Sequence, residues 1–188
     1  KSYTLNNMKG HLLAFIDIET TGLDVTRHEI IEIGCVLVQQ DWSTEIPTFV
    51  VKDSFEFKIQ PQHIEYEDKT ALKINGYAKS DWKHSVPLKE ALAKLAKKTQ
   101  DAIMVGHNVT FDFLFLDHAF KATGVKNLMH YHLLDTISIA YTKLHERDIQ
   151  KYSLYVLTEQ FGIKNEKQHT ALADAQATFE IYKKLMTL

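Results

Sequence analysis

The sequence predicts an α/β fold, because strand patterns fill its first third and strand and helix patterns alternate after that. Segment 12–18 is apolar on both faces, which is typical of a central strand covered by helices on each side. Segments 29–38 and 47–59 carry β-branched and aromatic residues and predict a second strand, followed by a strand or hairpin. The chain therefore begins with its sheet.

The helical patterns begin near residue 88. Segment 88–98 is predicted to form an amphipathic helix, because apolar residues fall at the i, i+3, i+4 and i+7 positions of one face: Leu88, Ala91, Leu92 and Leu95. The later elements are expected, in order, as a buried strand at 102–105, a helix at 109–122, a strand near 131–134, and helices at 136–145, 154–161 and 171–186. We expect a single domain over residues 1–188, with its core at about 12–186.

Composition narrows the class of protein. The chain has 188 residues, of which 45% are hydrophobic, so it can bury a core without disulfides, and the single cysteine, Cys35, cannot form one internally. The first apolar run, 12–16, is too short for a signal sequence or a membrane span. We therefore expect a cytoplasmic protein with no membrane partner. A net charge of −2 argues against coating nucleic acid by bulk electrostatics, but it allows an enzyme that grips one strand end.

Two acids end the first strand. Asp17 and Glu19 stand at i and i+2, so a strand points both side chains to one face. Two such charges about 4 Å apart repel by roughly 4 kcal/mol at an effective dielectric of about 20, which calls for protonation or a cation. The alternative is that one carboxylate caps a turn while the other points to solvent.

Two further acids lie on helix faces that are otherwise apolar. Asp112 shares its face with Phe115 and Leu116, and Asp174 shares its face with Ile181. Each would be the fourth residue of its helix if the helices are capped by the residues at 108 and 170. Taken singly, either acid could belong to a hydrogen-bonded capping network.

Together, the four acids predict a metal site. Carboxylate ligands without cysteine suit Mg²⁺ or Mn²⁺, and four acids leave room for two divalent ions. Two ions about 3.5–4 Å apart stabilise the attacking and leaving oxygens of an in-line phosphoryl displacement. His169 lies five residues before Asp174 and can reach the same site, where an imidazole can accept a proton from water near neutral pH. The alternative is that His169 is an ordinary polar residue on the surface.

Three segments resemble the motifs of the DEDDh 3′→5′ exonucleases. This ribonuclease H-like group includes the proofreading subunit of bacterial DNA polymerase III, oligoribonuclease and RNase T. The segments are FIDIETTGL at 15–23, GHNVTFDF at 106–113 and HTALADA at 169–175, in family order. The resemblance implies a mixed sheet of about five strands flanked by helices. It also implies two-metal hydrolysis of single-stranded DNA, RNA or both from a 3′ end, which releases nucleoside 5′-monophosphates.

By this resemblance, Asp17, Glu19, Asp112 and Asp174 hold the metals and His169 is the general base. The residue patterns single out the same five side chains. The resemblance also implies a nucleotide-binding set, comprising Thr20, Thr21, Gly22, Leu23, His107, Asn108 and Phe111. Phe111 could instead be core and Asn108 an N-cap. Asp135 precedes an apolar helical pattern and is predicted to be an N-cap outside the metal set.

Two other functions compete with this interpretation. One is a catalytically silent nucleic-acid-binding adaptor on the same fold, and the other is a hydrolase of small phosphodiesters or dinucleotides. The expected partner is the 3′ end of single-stranded DNA or RNA. The sequence stops soon after its last helix and leaves no tail for docking on a polymerase, which favours a stand-alone enzyme. The oligomeric state stays open.

Overall fold

A five-stranded mixed sheet forms the centre of the protein in a computed structural model, which describes residues 8–78, 80–165 and 169–188. The strands are β1 (Leu13–Thr20), β2 (Ile30–Asp41), β3 (Thr48–Lys58), β4 (Ile103–Gly106) and β5 (Leu133–Asp135). Their order is β3-β2-β1-β4-β5. The first three pair antiparallel, whereas β4 runs parallel to both β1 and β5. The predicted mixed sheet is confirmed, and segment 47–59 forms one strand rather than a hairpin.

The helices are α1 (Lys69–Ile74), α2 (Leu88–Lys98), α3 (Val109–Thr123), α4 (Thr136–Leu144), α5 (Leu154–Phe161) and α6 (Ala171–Met186). Single 3-10 turns form at Met8–Gly10 and Ile64–Tyr66. The predicted helices are confirmed to within about two residues, but α1 was not predicted. It has six residues and buries none of them, so its sequence carries no apolar stripe. No helix in the described ranges is long and apolar enough to cross a membrane.

The sheet is covered on both faces. On one face, Ala14 and Ile16 of β1 pack against α2 and α3. On the other face, Leu13 and Phe15 pack against Phe179 and other residues of α6. This two-sided burial is why segment 12–18 has no polar face, as the sequence predicted.

The central strand extends beyond its parallel neighbour. β4 pairs only with Leu13–Phe15, so the later half of β1 has no strand on that side. The chain leaves β4 and enters α3 at this point, which brings the N-terminal turn of α3 beside the end of β1. The candidate site lies along the part of β1 that extends beyond β4.

Candidate active site

Three carboxylates from two elements converge at the end of β1. One oxygen from each of Asp17, Glu19 and Asp174 lies within 4.8 Å of the others. Strand alternation places the two β1 side chains on the α6 face of the sheet, and Asp174 lies in the first turn of α6. The structure therefore brings together three of the four acids that the sequence assigned to a metal site.

The fourth acid approaches from the other side of β1. Asp112 lies in the first turn of α3 and is only 4% exposed. Its Oδ1 accepts a hydrogen bond from the backbone N–H of Ile18 at 3.0 Å. Because β4 has ended before this position, the carboxylate takes an N–H that no β4 partner reaches. Asp112 is thus hydrogen-bonded to Ile18, the residue that follows Asp17 in β1.

Burial is the main cause of a raised pKa at three of the acids. Burial raises the pKa of Asp17 well above its ordinary range, and the charges of Asp112, Asp174 and Glu19 raise it further. Burial, helped by Asp174, raises the pKa of Glu19 to about 8. Burial also raises the pKa of Asp112 to about 8, although the Ile18 N–H opposes this. Without a metal ion, the site therefore holds protons near neutral pH. Oxygen ligands in this arrangement fit a hard divalent cation, which would displace those protons when it binds.

A fifth acid, Glu32, was not singled out from the sequence. It lies directly opposite Glu19 in the β1–β2 pairing and is 3% exposed. Its Oε1 accepts a hydrogen bond at 3.1 Å from the N–H of Ala171, the first residue of α6. Burial raises its pKa, and the charge of Glu56 adds to this. The signal was present in the sequence, since Glu32 interrupts an apolar strand as Asp112 interrupts an apolar helix face.

A glycine allows α6 to approach the acids. Gly34 pairs with Asp17 across β1 and β2. A Cβ atom at Gly34 would lie 2.2 Å from the backbone carbon of Ala171 and 2.2 Å from the nitrogen of Leu172. The N-terminus of α6 therefore rests directly on the β2 backbone, and this contact sets the position of Asp174 over β1.

The Asp174 carboxylate is held at both oxygens. Asn165 Nδ2 donates to Oδ1 at 2.6 Å, and the backbone N–H of His169 donates to Oδ2 at 3.2 Å. His169 has a left-handed backbone with φ of 65° and an exposed side chain. It lines a cavity of about 240 Å³ together with Glu32 and Asn75. The structure thus places His169 at the rim of the acid cluster.

The segment after Glu19 forms a tight turn. The Thr20 hydroxyl donates to the carbonyl of Gly22 at 2.7 Å. The Thr21 hydroxyl accepts from the N–H of Glu29 at 2.9 Å. The turn leaves Leu23 80% exposed beside the acids. The assignment of Leu23 to nucleotide binding stays a prediction.

The second motif contributes anchoring contacts. His107 Nε2 donates to the carbonyl of Tyr152 at 2.8 Å, and Nδ1 lies 2.9 Å from the hydroxyl oxygen of Thr136. Burial lowers the pKa of His107. Phe111 is half-buried and packs against the core, with its ring centroid 5.0 Å from that of Phe115. Both ring nitrogens of His107 are therefore engaged within the protein.

Asn108 does not cap α3 with its side chain. It has a left-handed backbone, with φ of 68°, and makes no capping hydrogen bond to the helix. Asp135 supplies the cap instead, because its Oδ2 accepts from the N–H of Val109 at 2.7 Å. Its Oδ1 accepts from Ile137 and Ser138 of α4, which confirms Asp135 as the predicted N-cap of that helix. One aspartate therefore joins the starts of two helices.

The strand order and the carboxylate cluster together define a ribonuclease H-like protein with an acidic, cation-compatible site. Structures of Exonuclease I share this fold. The Escherichia coli enzyme in complex with a dT13 oligonucleotide gives a TM-score of 0.74 at 18% identity, covering 94% of this chain and 41% of that chain. Exonuclease I from Methylocaldum szegediense gives a TM-score of 0.69 at 18% identity, with 94% and 42% covered.

The chain belongs to the RNase_T exonuclease family, whose sequence model matches residues 14–182. The predicted resemblance to DEDD-type, ribonuclease H-like exonucleases is confirmed. The chain is also similar to PolC-type DNA polymerase III. The protein from Caldanaerobacter subterraneus subsp. tengcongensis is 32% identical over 180 residues, which are 96% of this chain and 12% of that polymerase. The protein from Lacticaseibacillus paracasei is 33% identical over 164 residues, 86% of this chain and 10% of that polymerase.

Proposed function

We propose that this chain is a divalent-metal-dependent 3′→5′ exonuclease that removes nucleoside 5′-monophosphates from single-stranded nucleic acid. The observation that carries the proposal is the convergence of Asp17, Glu19 and Asp174, whose oxygens lie within 4.8 Å of one another. Membership of an exonuclease family supports phosphodiester hydrolysis. The direction and the products follow from the resemblance of the three motifs to DEDDh enzymes.

The carboxylates account for metal dependence. Asp17, Glu19 and Asp174 would hold a first Mg²⁺ or Mn²⁺, Asp17 would also serve a second ion, and Asp112 would support the site. When bound, the ions supply positive charge to the attacking and leaving oxygens of an in-line displacement. The raised pKa values of Asp17, Glu19 and Asp112 fit this role, because acids crowded without a cation are expected to retain protons.

His169 accepts the proton in the proposed reaction. A water oxygen attacks the phosphorus of the last nucleotide, and the imidazole takes the proton that this water loses. The bond from phosphorus to the 3′ oxygen of the preceding nucleotide breaks, so the strand keeps a 3′ hydroxyl after that oxygen gains a proton. The backbone N–H of His169 donates to Asp174, which holds this residue next to the acid cluster and supports its role as general base.

The turn after β1 would hold the terminal nucleotide. Thr20, Thr21 and Gly22 form its closed backbone, and Leu23 projects from it with 80% of its surface exposed. An exposed leucine can press on a base face without reading its identity, so the site is expected to accept any base. A single-stranded substrate is supported by the fold neighbour Exonuclease I, which was solved with dT13.

Digestion of matched oligonucleotides tests the proposal. Single-stranded DNA and RNA of one sequence, labelled at the 5′ end, would be incubated with the protein in Mn²⁺ or in EDTA. We expect a ladder that shortens from the 3′ end in Mn²⁺, with mononucleotide products and no reaction in EDTA or with Asp17→Asn. The relative rates on the two strands assign the sugar preference.

Two other outcomes would replace the proposal. Binding of the strand without cleavage in any divalent metal would indicate a silent adaptor domain. Turnover that is fastest on dinucleotides and falls with strand length would indicate a hydrolase of small phosphodiesters, because a polymer enzyme gains from additional phosphate contacts.

A further inference from the structure

A segment between β3 and α2 forms one wall beside the candidate active site. The backbone N–H of Asp68 donates to the carbonyl of Thr21 at 2.7 Å. Asn75 is buried, and its Nδ2 donates to the carbonyl of Thr20 at 3.1 Å. The segment that carries α1 is therefore fastened to the same turn that the proposed function assigns to the terminal nucleotide.

The far end of this segment is fastened to the sheet. The N–H of Val86 donates to the carbonyl of Lys58 at 2.9 Å. Trp82 is 7% exposed, and its Nε1 donates to the carbonyl of Ile31 at 3.0 Å. Lys58 Nζ lies 4.3 Å from the centroid of the Trp82 ring. These contacts fix the wall against the ends of β2 and β3.

Two neighbouring cavities lie along the wall. The smaller, of about 240 Å³, is lined by His169, Asn75 and Trp82. The larger, of about 800 Å³, is lined by Trp82, Tyr77 and Lys83. Trp82 belongs to both cavities, and its ring centroid lies 4.8 Å from that of Tyr77. The two cavities therefore adjoin at Trp82, and the smaller one reaches the rim of the acid cluster at His169 and Glu32.

The larger cavity has one positively charged side chain, Lys83, and an aromatic ring, Tyr77, in its lining. Its other described lining residues are uncharged: Gln60, Pro61, Ser80, Trp82 and Ser85. Lys83 is exposed at the cavity. Proteins bind single-stranded nucleic acid by pairing cations with phosphates and by stacking bases on aromatic rings. A cavity that offers Tyr77 and Lys83 beside a phosphodiesterase site has both elements.

We propose that this Tyr77–Lys83 cavity is a subsite for a nucleotide of the same strand, upstream of the bond to be cut. Lys83 contacts a phosphate, and Tyr77 presents its ring to a base. The inference rests on the proposed function, because the strand is assumed to begin in the turn at Thr20–Leu23. It follows that strands long enough to reach the cavity bind more tightly than mononucleotide substrates.

Steady-state kinetics of Lys83→Ala and Tyr77→Leu test the subsite. Each variant should raise KM for a 5′-labelled 12-nucleotide DNA by about tenfold, the loss expected for one stacking or phosphate contact, with little change in kcat. The salt dependence of log KM should weaken by about 0.7 in Lys83→Ala, as for one lost phosphate contact to a single strand. Turnover of the nitrophenyl ester of thymidine 5′-monophosphate, which cannot reach the cavity, should not change.

The matched control is Lys121→Ala. Lys121 lies near the C-terminal end of α3, away from the Asp112 turn, and pairs with Asp117 at 2.6 Å. This variant should keep the wild-type KM for both substrates. Oligonucleotide KM values within twofold of wild type in both cavity variants would overturn the subsite while leaving the proposed function intact.

Failure of the proposed function has a different signature. If the wild-type protein hydrolyses neither substrate in Mn²⁺, the nuclease proposal fails. The subsite is then decided by fluorescence anisotropy with labelled dT12. Weaker binding by Lys83→Ala than by Lys121→Ala would support it, and equal binding would overturn it.

Discussion

Gly34→Ala should disable the candidate site although the residue carries no side chain. The added Cβ would lie 2.2 Å from the backbone of Ala171 and Leu172, whereas ordinary contacts of this kind begin at 3.4 Å. The N-terminus of α6 would therefore have to move by about 1 Å, and rotamer changes cannot relieve a clash with backbone. Asp174 would move with the helix, away from the position where it meets the β1 acids.

The magnitude follows from that displacement. Misplacing a catalytic group by about 1 Å can cost on the order of 100-fold in rate, so we expect at least that loss of Mn²⁺-dependent hydrolysis. Overpacking costs about 1–3 kcal/mol, which corresponds to a drop of roughly 3–10 °C in Tm for a chain of this size. Oligonucleotide digestion and thermal melting monitored by circular dichroism would measure the two effects.

Gly10→Ala is the matched control, because a Cβ at Gly10 would meet nothing within 4 Å. It should keep wild-type activity and melting temperature. The reasoning is refuted if Gly34→Ala remains as active as Gly10→Ala, since α6 would then not depend on close contact with β2.

Three more predictions concern the acids. Glu32→Gln should keep most activity because an amide oxygen can still accept the Ala171 N–H, whereas Glu32→Ala should lose at least about tenfold in kcat; equal loss in both would instead indicate a charged role. Burial raises the pKa of Glu19 from 4.5 to about 8. Between these two pH values the folded protein keeps a proton on Glu19 that the unfolded chain has lost, so the stability of the fold decreases as the pH rises through this range. In EDTA, the Tm of the wild type should therefore fall relative to Glu19→Gln by about 5 °C between pH 5.5 and 7.5, and parallel curves would contradict this. Asp135→Ala removes acceptors from the starts of α3 and α4 and should cost about 2 kcal/mol in urea unfolding; a loss below about 0.5 kcal/mol would show that water replaces the cap.

Local patterns were sufficient to predict most of the sheet and the acid cluster. β1 is buried on both faces, so its apolar run identified it as the central strand. Asp112 and Asp174 stood out because each is an acid on an apolar helix face, and both are buried beside the end of β1. In each case the informative signal lies within one strand or helix.

Features that depend on contacts between distant segments could not be predicted in this way. Glu32 can be recognised in the sequence as an acid within an apolar strand, but its place opposite Glu19 depends on the register of β1 and β2. Gly34 matters only because α6 lies on it. Asparagine is a common N-cap residue, which favoured Asn108 as the cap of α3, but the side chain that accepts from the start of α3 is that of Asp135, at the end of β5. The expectation of a stand-alone enzyme stays a prediction, since the similar PolC-type proteins are polymerases of which this chain spans 10–12%.

The central claim is that carboxylates distant in the sequence converge to share divalent cations. Titration calorimetry with Mn²⁺ tests this claim most directly. Repeating the titration in two buffers of different ionisation enthalpy counts the protons released. The account predicts saturable binding with proton release, because the acids of the bare site are held protonated, and loss of this binding in Asp17→Asn. Absence of binding, or equal binding by Asp17→Asn, would contradict it.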